Sequence, residues 1–247
     1  NKFRQLYQEF SSPNMFRTAS GAPGPAYYQQ QADYKMDIEL DDENKRIYGS
    51  ETITYTNNSP DNLEYLWVQL DQNIRKKDSP SLLIDGGGVS PAYLPSGFTK
   101  EFLTDSFDGG FNIEYVVDEN NKPLKHFVNQ TMMRVDLPNI LKSGESFSFS
   151  IKWWYNIQDH VNQDGRSGYE SFDKDGNRVY IIAQFFPRMA VYNEVEGWQN
   201  YQFWGDGEFA LPFGNYDVKI TVPSDHILDA TGELQNRKNV FSKEMIK

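Results

Sequence analysis

The sequence has no cysteine and only three histidines in 247 residues. Without cysteine there are no disulfides and no thiolate metal sites, so an oxidising compartment is neither required nor excluded. His126, His160 and His226 stand far apart in the chain. None has a second histidine three to five residues away, which removes the usual zinc-ligand pair of one helical face. They read as isolated surface or turn residues. The G-x-S-x-G nucleophile elbow is missing as well. No apolar run reaches about 18 residues, so no segment reads as a membrane span. Positive charge is in short supply: 24 Lys and Arg against 35 Asp and Glu leave a net charge of −11. Such a surface repels phosphate backbones and anionic lipid, and nucleic acid is not an expected partner. The chain begins at Asn1 with no signal-like apolar region, which reads as an excised piece or a mature product, its compartment (periplasmic or cytoplasmic) left open.

Three local motifs point to chemistry that their surroundings do not support. "DKDGN" (173–177) resembles half of a calcium loop but lacks the spaced oxygen ligands and terminal Glu, so a hairpin turn is the better reading. "DGGG" (85–88) has no following G-K-[ST], and the acidic balance opposes a phosphate loop. "NNS" (57–59) and "NQT" (129–131) match the glycosylation sequon, which matters only in a secreted eukaryotic protein.

The chain is rich in rings. Aromatics make up 15% and hydrophobic residues 38%, enough for a large core on sheet faces. "YKMDIEL" alternates Tyr34, Met36, Ile38 and Leu40 with charged residues, and after the turn "DDENK" comes "IYGSETITYT", a hairpin. "LEYLWVQL" (63–70) is a further strand, whereas residues 71–111 lose all periodicity. "FNIEYVV" and "TMMRVDL" flank the turn "DENNKP" and predict a second hairpin. The clearest strand is "SFSFSIKWWYNI", with Phe147, Phe149, Ile151, Trp153 and Tyr155 on one face and serines and Lys152 on the other. A face of that kind needs a second sheet over it. "VYIIAQ" and "YDVKITV" complete the pattern, the latter alternating Tyr216, Val218, Ile220 and Val222 before Pro223. No helical period is sustained. The expected fold is all-β, a large antiparallel sandwich with long loops. It spans residues 33–247, and an arm of residues 1–32, with a short helix near Phe3–Phe10, precedes it.

Residues 183–204, "AQFFPRMAVYNEVEGWQNYQFW", gather seven aromatics among Gln184, Arg188, Glu194 and Glu196. This stretch, with "GDGEFALPFGNYDVKITVPSDHILDATGEL" after it, resembles the N-terminal domain of the aminopeptidase N family of zinc metallopeptidases, particularly its bacterial branch. The likeness extends back through "YYQQQADYKMDIELDDENKRIYGSETITYTNNSPDNLEYLWVQLDQN" and "TMMRVDLPNILKSGESFSFSIKWWYNI", from Ala26 to Leu234, and is weakest over 71–111. It implies a saddle-shaped β domain ahead of a thermolysin-like catalytic domain carrying H-E-x-x-H, a further Glu ligand and G-x-M-E-N. None of these motifs occurs in the 247 residues. The resemblance therefore places zinc, as cofactor, in a catalytic domain beyond this chain and leaves this chain without a catalytic residue or metal ligand of its own. Its implied partners are that downstream domain and a peptide substrate.

In the family a Gln, followed two residues later by a Glu, helps hold the substrate's N-terminal amine. The matching Gln is Gln184, while the Glu position holds Phe186, so the acid is missing and Glu194 or Glu196 is left to stand in for it. Against this, Gln184 reads equally as a strand-end amide bonded to backbone. Most of the rings read as core; Trp198, Tyr201 and Trp204 read as a docking surface for the catalytic domain. Two other functions stay open: a free-standing β-sandwich binding module that stacks carbohydrate on Trp and Tyr, and a scaffold domain of a family member that has lost its zinc.

Overall fold

The computed structural model describes residues 13–81, 92, 94–99, 107–161, 166–205, 207 and 209–242. The helix expected near Phe3–Phe10 and the "DGGG" loop lie outside them. Strands follow the apolar alternation: β1 (Gln31–Asp41), β2 (Arg46–Thr56), β3 (Leu63–Gln69), β4 (Asn112–Asp118), β5 (His126–Asn129), β6 (Met132–Leu141) and β7 (Ser146–Asn156). Shorter strands come after them: β8 (Gly168–Phe172), β9 (Asn177–Ile181), β10 (Arg188–Met189), β11 (Tyr192–Asn193), β12 (Gly197–Trp198) and β13 (Tyr216–Thr221). The named helical elements among the described residues are a 3-10 turn, Asp71–Arg75, and two short pieces, α1 (Pro95–Phe98) and α2 (Arg237–Val240).

The strands form a five-stranded sheet, β13-β1-β2-β7-β4, and a four-stranded sheet, β10-β3-β6-β5, with β8–β9 and β11–β12 as separate ribbons. Tyr34, Met36, Ile53, Phe149, Ile151 and Trp153 from the first sheet share one buried cluster with Leu66, Val68, Met133 and Val135 from the second. The fold is thus an all-β sandwich. On the outer face of the larger sheet, hydroxyls pair across strands: Thr52 with Ser150 at 2.9 Å, Thr54 with Ser148 at 2.9 Å and Thr56 with Ser146 at 2.8 Å. Serines and threonines therefore occupy the solvent side while the rings of β7 fill the other, as the alternation requires.

Two expectations are corrected. The hairpin of "FNIEYVV" with "TMMRVDL" does not form: β4 pairs with β7, whereas β6 pairs with β3 and β5 in the other sheet. The chain does turn back at first, with Leu124 N–H donating to the Val116 carbonyl at 2.9 Å and Val117 bridging Pro123. Pro123 has no N–H to extend that ladder, and Leu124 is buried in the core, so the return segment leaves the first sheet for the second. The other correction concerns β13. Its Tyr216 and Val218 stay exposed, because the strand is an edge, paired in parallel with β1 alone. It is the one departure from antiparallel pairing among the named strands.

The docking of β13 explains the "F-G-N-Y" motif. Ala32 N–H donates to the Phe213 carbonyl at 2.9 Å, and Tyr34 N–H to that of Asn215 at 2.8 Å. Gly214 lies between these bonds, and a Cβ there would overlap the Ala32 carbonyl. The "NNS" sequon is closed by packing: Asn57 is buried, and its amide donates to the carbonyls of Asp61 at 2.7 Å and Leu141 at 3.1 Å.

Candidate functional site

The pattern-free stretch after β3 begins with "DQNIR", and its side chains tie distant segments together. Asp71, Gln72 and Asn73 are all buried in the 3-10 turn. Most buried polar groups are hydrogen-bonded, and each of these residues finds a partner from far along the chain. Asp71 pairs with the Arg188 guanidinium, and Arg188 also reaches Gln69 at 3.4 Å, its register partner across β3 and β10. Burial pushes the Asp71 carboxyl above its ordinary range, and Arg188 opposes that rise. Asn73 donates to the Gln130 carbonyl at 2.6 Å and accepts from Phe111 N–H at 2.9 Å.

Gln72 makes the contact of greatest interest. Its amide nitrogen donates to the carbonyls of both Ala183 and Gln184, each at 3.1 Å, while its oxygen accepts from Arg75 at 3.2 Å. Arg75 donates to Gln158 at 2.5 Å, and Gln158 donates to the Ser167 carbonyl. Ser167 then closes the ring on Ala183: its hydroxyl donates to the Ala183 carbonyl at 2.9 Å and accepts from the Ala183 N–H at 2.7 Å. Burial lowers the affinity of Arg75 for its proton. Five residues from three separate segments thus form one closed polar circuit around the end of β9.

Gln184 lies just outside this circuit. Its backbone has φ 52°, a left-handed conformation that few residues without glycine's freedom adopt. Its carbonyl is taken by Gln72, and its half-buried side-chain amide bonds to none of the described residues. The main chain of Gln184 is engaged at the strand end, whereas the side-chain amide bonded to backbone that its strand-end position suggested is not seen among the described residues. An amide oxygen so placed can accept from an ammonium; it offers no acid or base.

The remaining expected residues fall into two groups. Glu194 is held by Arg17 of the arm, with its side chain 3% exposed, which commits it to an internal pair. Glu196 is exposed and accepts from the Tyr201 hydroxyl at 2.8 Å. Phe186 packs edge-on against Tyr34, with ring centres 5.6 Å apart. Trp198 is half-buried against Tyr192 and Tyr55, at 5.2 and 5.9 Å between centres. Trp204 is half-buried too, whereas Tyr201 is 54% exposed and stacks on Phe209. Gln72, Arg75, Gln158 and Ser167 are not singled out by sequence, because each takes its role from partners that no local pattern brings together. Among the described residues no group of three or more His, Cys, Asp or Glu is placed to hold a metal ion.

No family model matches the chain, and no curated protein matches it. Among solved structures, it is similar to an M1 zinc metallopeptidase from Deinococcus radiodurans, with a TM-score of 0.37 and 11% identity, over 84% of this chain and 36% of that one. A mutant from the same organism bound to a Tyr-Ser-Ala substrate gives 0.36 and 13%, with coverage of 84% and 36%. A two-domain M1 zinc metallopeptidase mutant bound to L-tryptophan gives 0.39 and 12%, over 87% of this chain and 39% of that one. The chain therefore spans well under half the length of these proteins.

Proposed function

We propose that this chain is the non-catalytic N-terminal β domain of a zinc-dependent aminopeptidase, and that Gln184 lends its side-chain amide to the N-terminal amine of a bound peptide. The observation that carries this reading is Gln184 itself: a left-handed non-glycine residue with a fixed carbonyl and an unengaged amide. Strained backbone held in place by its surroundings is a mark of functional positions. The reading is supported further by the motif likeness from Ala26 to Leu234, in which Gln184 takes the amine-binding position. With Glu194 engaged by Arg17 and Phe186 in the place of the acid, Gln184 acts without a carboxylate from this domain, unless Glu196 supplies one. Zinc and the chemistry of water activation belong to the catalytic domain, which Trp198, Tyr201 and Trp204 help to seat.

The test is Gln184→Ala in the full-length parent. One hydrogen bond to a charged donor is worth roughly 1.5–3 kcal/mol, so KM for a short peptide should rise about tenfold or more. Thermal stability of the domain should be nearly unchanged, since this side chain has little packing to lose. A loss of stability with unchanged kcat/KM would remove Gln184 from the site.

A further inference from the structure

We infer that Gln72 is a positioning residue: by holding the carbonyls of Ala183 and Gln184 it fixes the left-handed turn that presents the Gln184 amide to a peptide's terminal amine. The inference rests on the function proposed above and adds a residue remote in sequence, in a stretch where no pattern is visible. A left-handed glutamine is uphill by about 1–2 kcal/mol relative to the right-handed form, so something must hold it there. Gln72 does so with a single NH2 group that spans two successive carbonyls, at 3.1 Å each.

The orientation of that amide is itself determined. Arg75 donates to the Gln72 oxygen at 3.2 Å and so decides which end of the amide faces the carbonyls. Gln158 and Ser167 return the chain of bonds to Ala183, so the strand end is gripped from both sides. Rotating Gln184 out of its conformation would strip Gln72, which is buried, of one of its acceptors. Binding then needs no reordering of this segment, because the amide is already placed. The bonded neighbours leave the side chain of Gln184 alone and fix only its backbone, the arrangement expected of a positioned ligand group.

The experiment compares Gln72→Met, Gln184→Ala and the double variant in the full-length chain, with KM, kcat and thermal unfolding measured for each on a short unblocked peptide. Methionine keeps the length and volume of glutamine but cannot donate. The expected result is a KM increase of about fivefold to tenfold for Gln72→Met, larger than any fall in kcat. The double variant should be no weaker than Gln184→Ala alone, because Gln72 acts only through Gln184. Multiplying KM effects would overturn the inference, as would a Gln72→Met enzyme with unchanged KM beside a Gln184→Ala enzyme with raised KM; in both cases the proposed function survives. If Gln184→Ala leaves KM unchanged, the amine-binding role proposed for Gln184 and the inference fall together. Should Gln72→Met not fold, Gln72→Asn keeps a polar group but withdraws it from the two carbonyls, and the same outcomes apply.

Discussion

Trp153 is fully buried, edge-on to Phe111 at 5.3 Å between ring centres, while its neighbour Trp154 lies under Arg46 on the other side of the strand. The ring of Trp153 also fills the space that a side chain at Gly49 would take, so the two positions are matched across β2 and β7. Trp153→Ala should lower stability by about 3–5 kcal/mol, the usual loss for a large core truncation. Trp154→Ala should lower it by no more than about 1 kcal/mol, the scale of an exposed cation–π contact. Equal losses in denaturant melts would mean that the strand faces the other way. Trp153 was legible in the sequence because period-two alternation reports burial directly. Gln72 was not. Its meaning arises from Ala183 and Gln184, more than a hundred residues away, and no local pattern encodes an approach of that kind.

At the scale of elements, alternation identified strands well and their partners less well. The hairpin β1–β2 could be read because a short turn leaves antiparallel pairing as the only geometry. The β4–β6 pairing was misread because Pro123 and Leu124 redirect the chain between sheets, a tertiary decision made by two residues. Strand β13 likewise gave its alternation but not its edge position or its parallel sense. Its attachment depends on Gly214, whose missing side chain lets the Phe213 and Asn215 carbonyls reach the N–H groups of Ala32 and Tyr34. Gly214→Ala should therefore loosen β13 without unfolding the sandwich. Hydrogen exchange should quicken at Ala32 and Tyr34 by about tenfold or more, while amides of β2 and β7 keep their protection. Unchanged exchange at those two amides would show that the glycine is not needed for docking.

For the molecule as a whole, the balance of its carboxyls sets how stability follows pH. Hydrogen bonds from Asn215 hold Asp33 below the ordinary value of 3.8, and bonds from Asn44 do the same for Asp41. The stability these groups add is present above that value and is lost as pH falls through their folded values. Glu51 works in the opposite direction. It points inward on β2 between Met36 and Ile151, is buried, and neither of its oxygens has a hydrogen-bond partner among the described residues. Burial alone pushes its carboxyl well above the ordinary 4.5, so the folded chain keeps a proton that the unfolded chain releases. Stability from the neutral acid is complete below 4.5 and declines as pH rises toward the folded value, by up to about 1.4 kcal/mol per pH unit. Asp71, raised by burial against the pull of Arg188, adds to the same slope. The protein should therefore be most stable in mildly acidic solution rather than near neutrality. The net charge of −11 pushes the same way through self-repulsion, so a pH profile of the native chain cannot by itself assign the slope to one residue. Glu51→Gln separates the two effects, since it keeps the shape, removes the titration and leaves the surface untouched. Urea midpoints of the two proteins should coincide near pH 4 and diverge steadily from about pH 5 upward, the Gln variant being the more stable. Parallel profiles across that range would show that Glu51 does not carry the slope and that surface repulsion does.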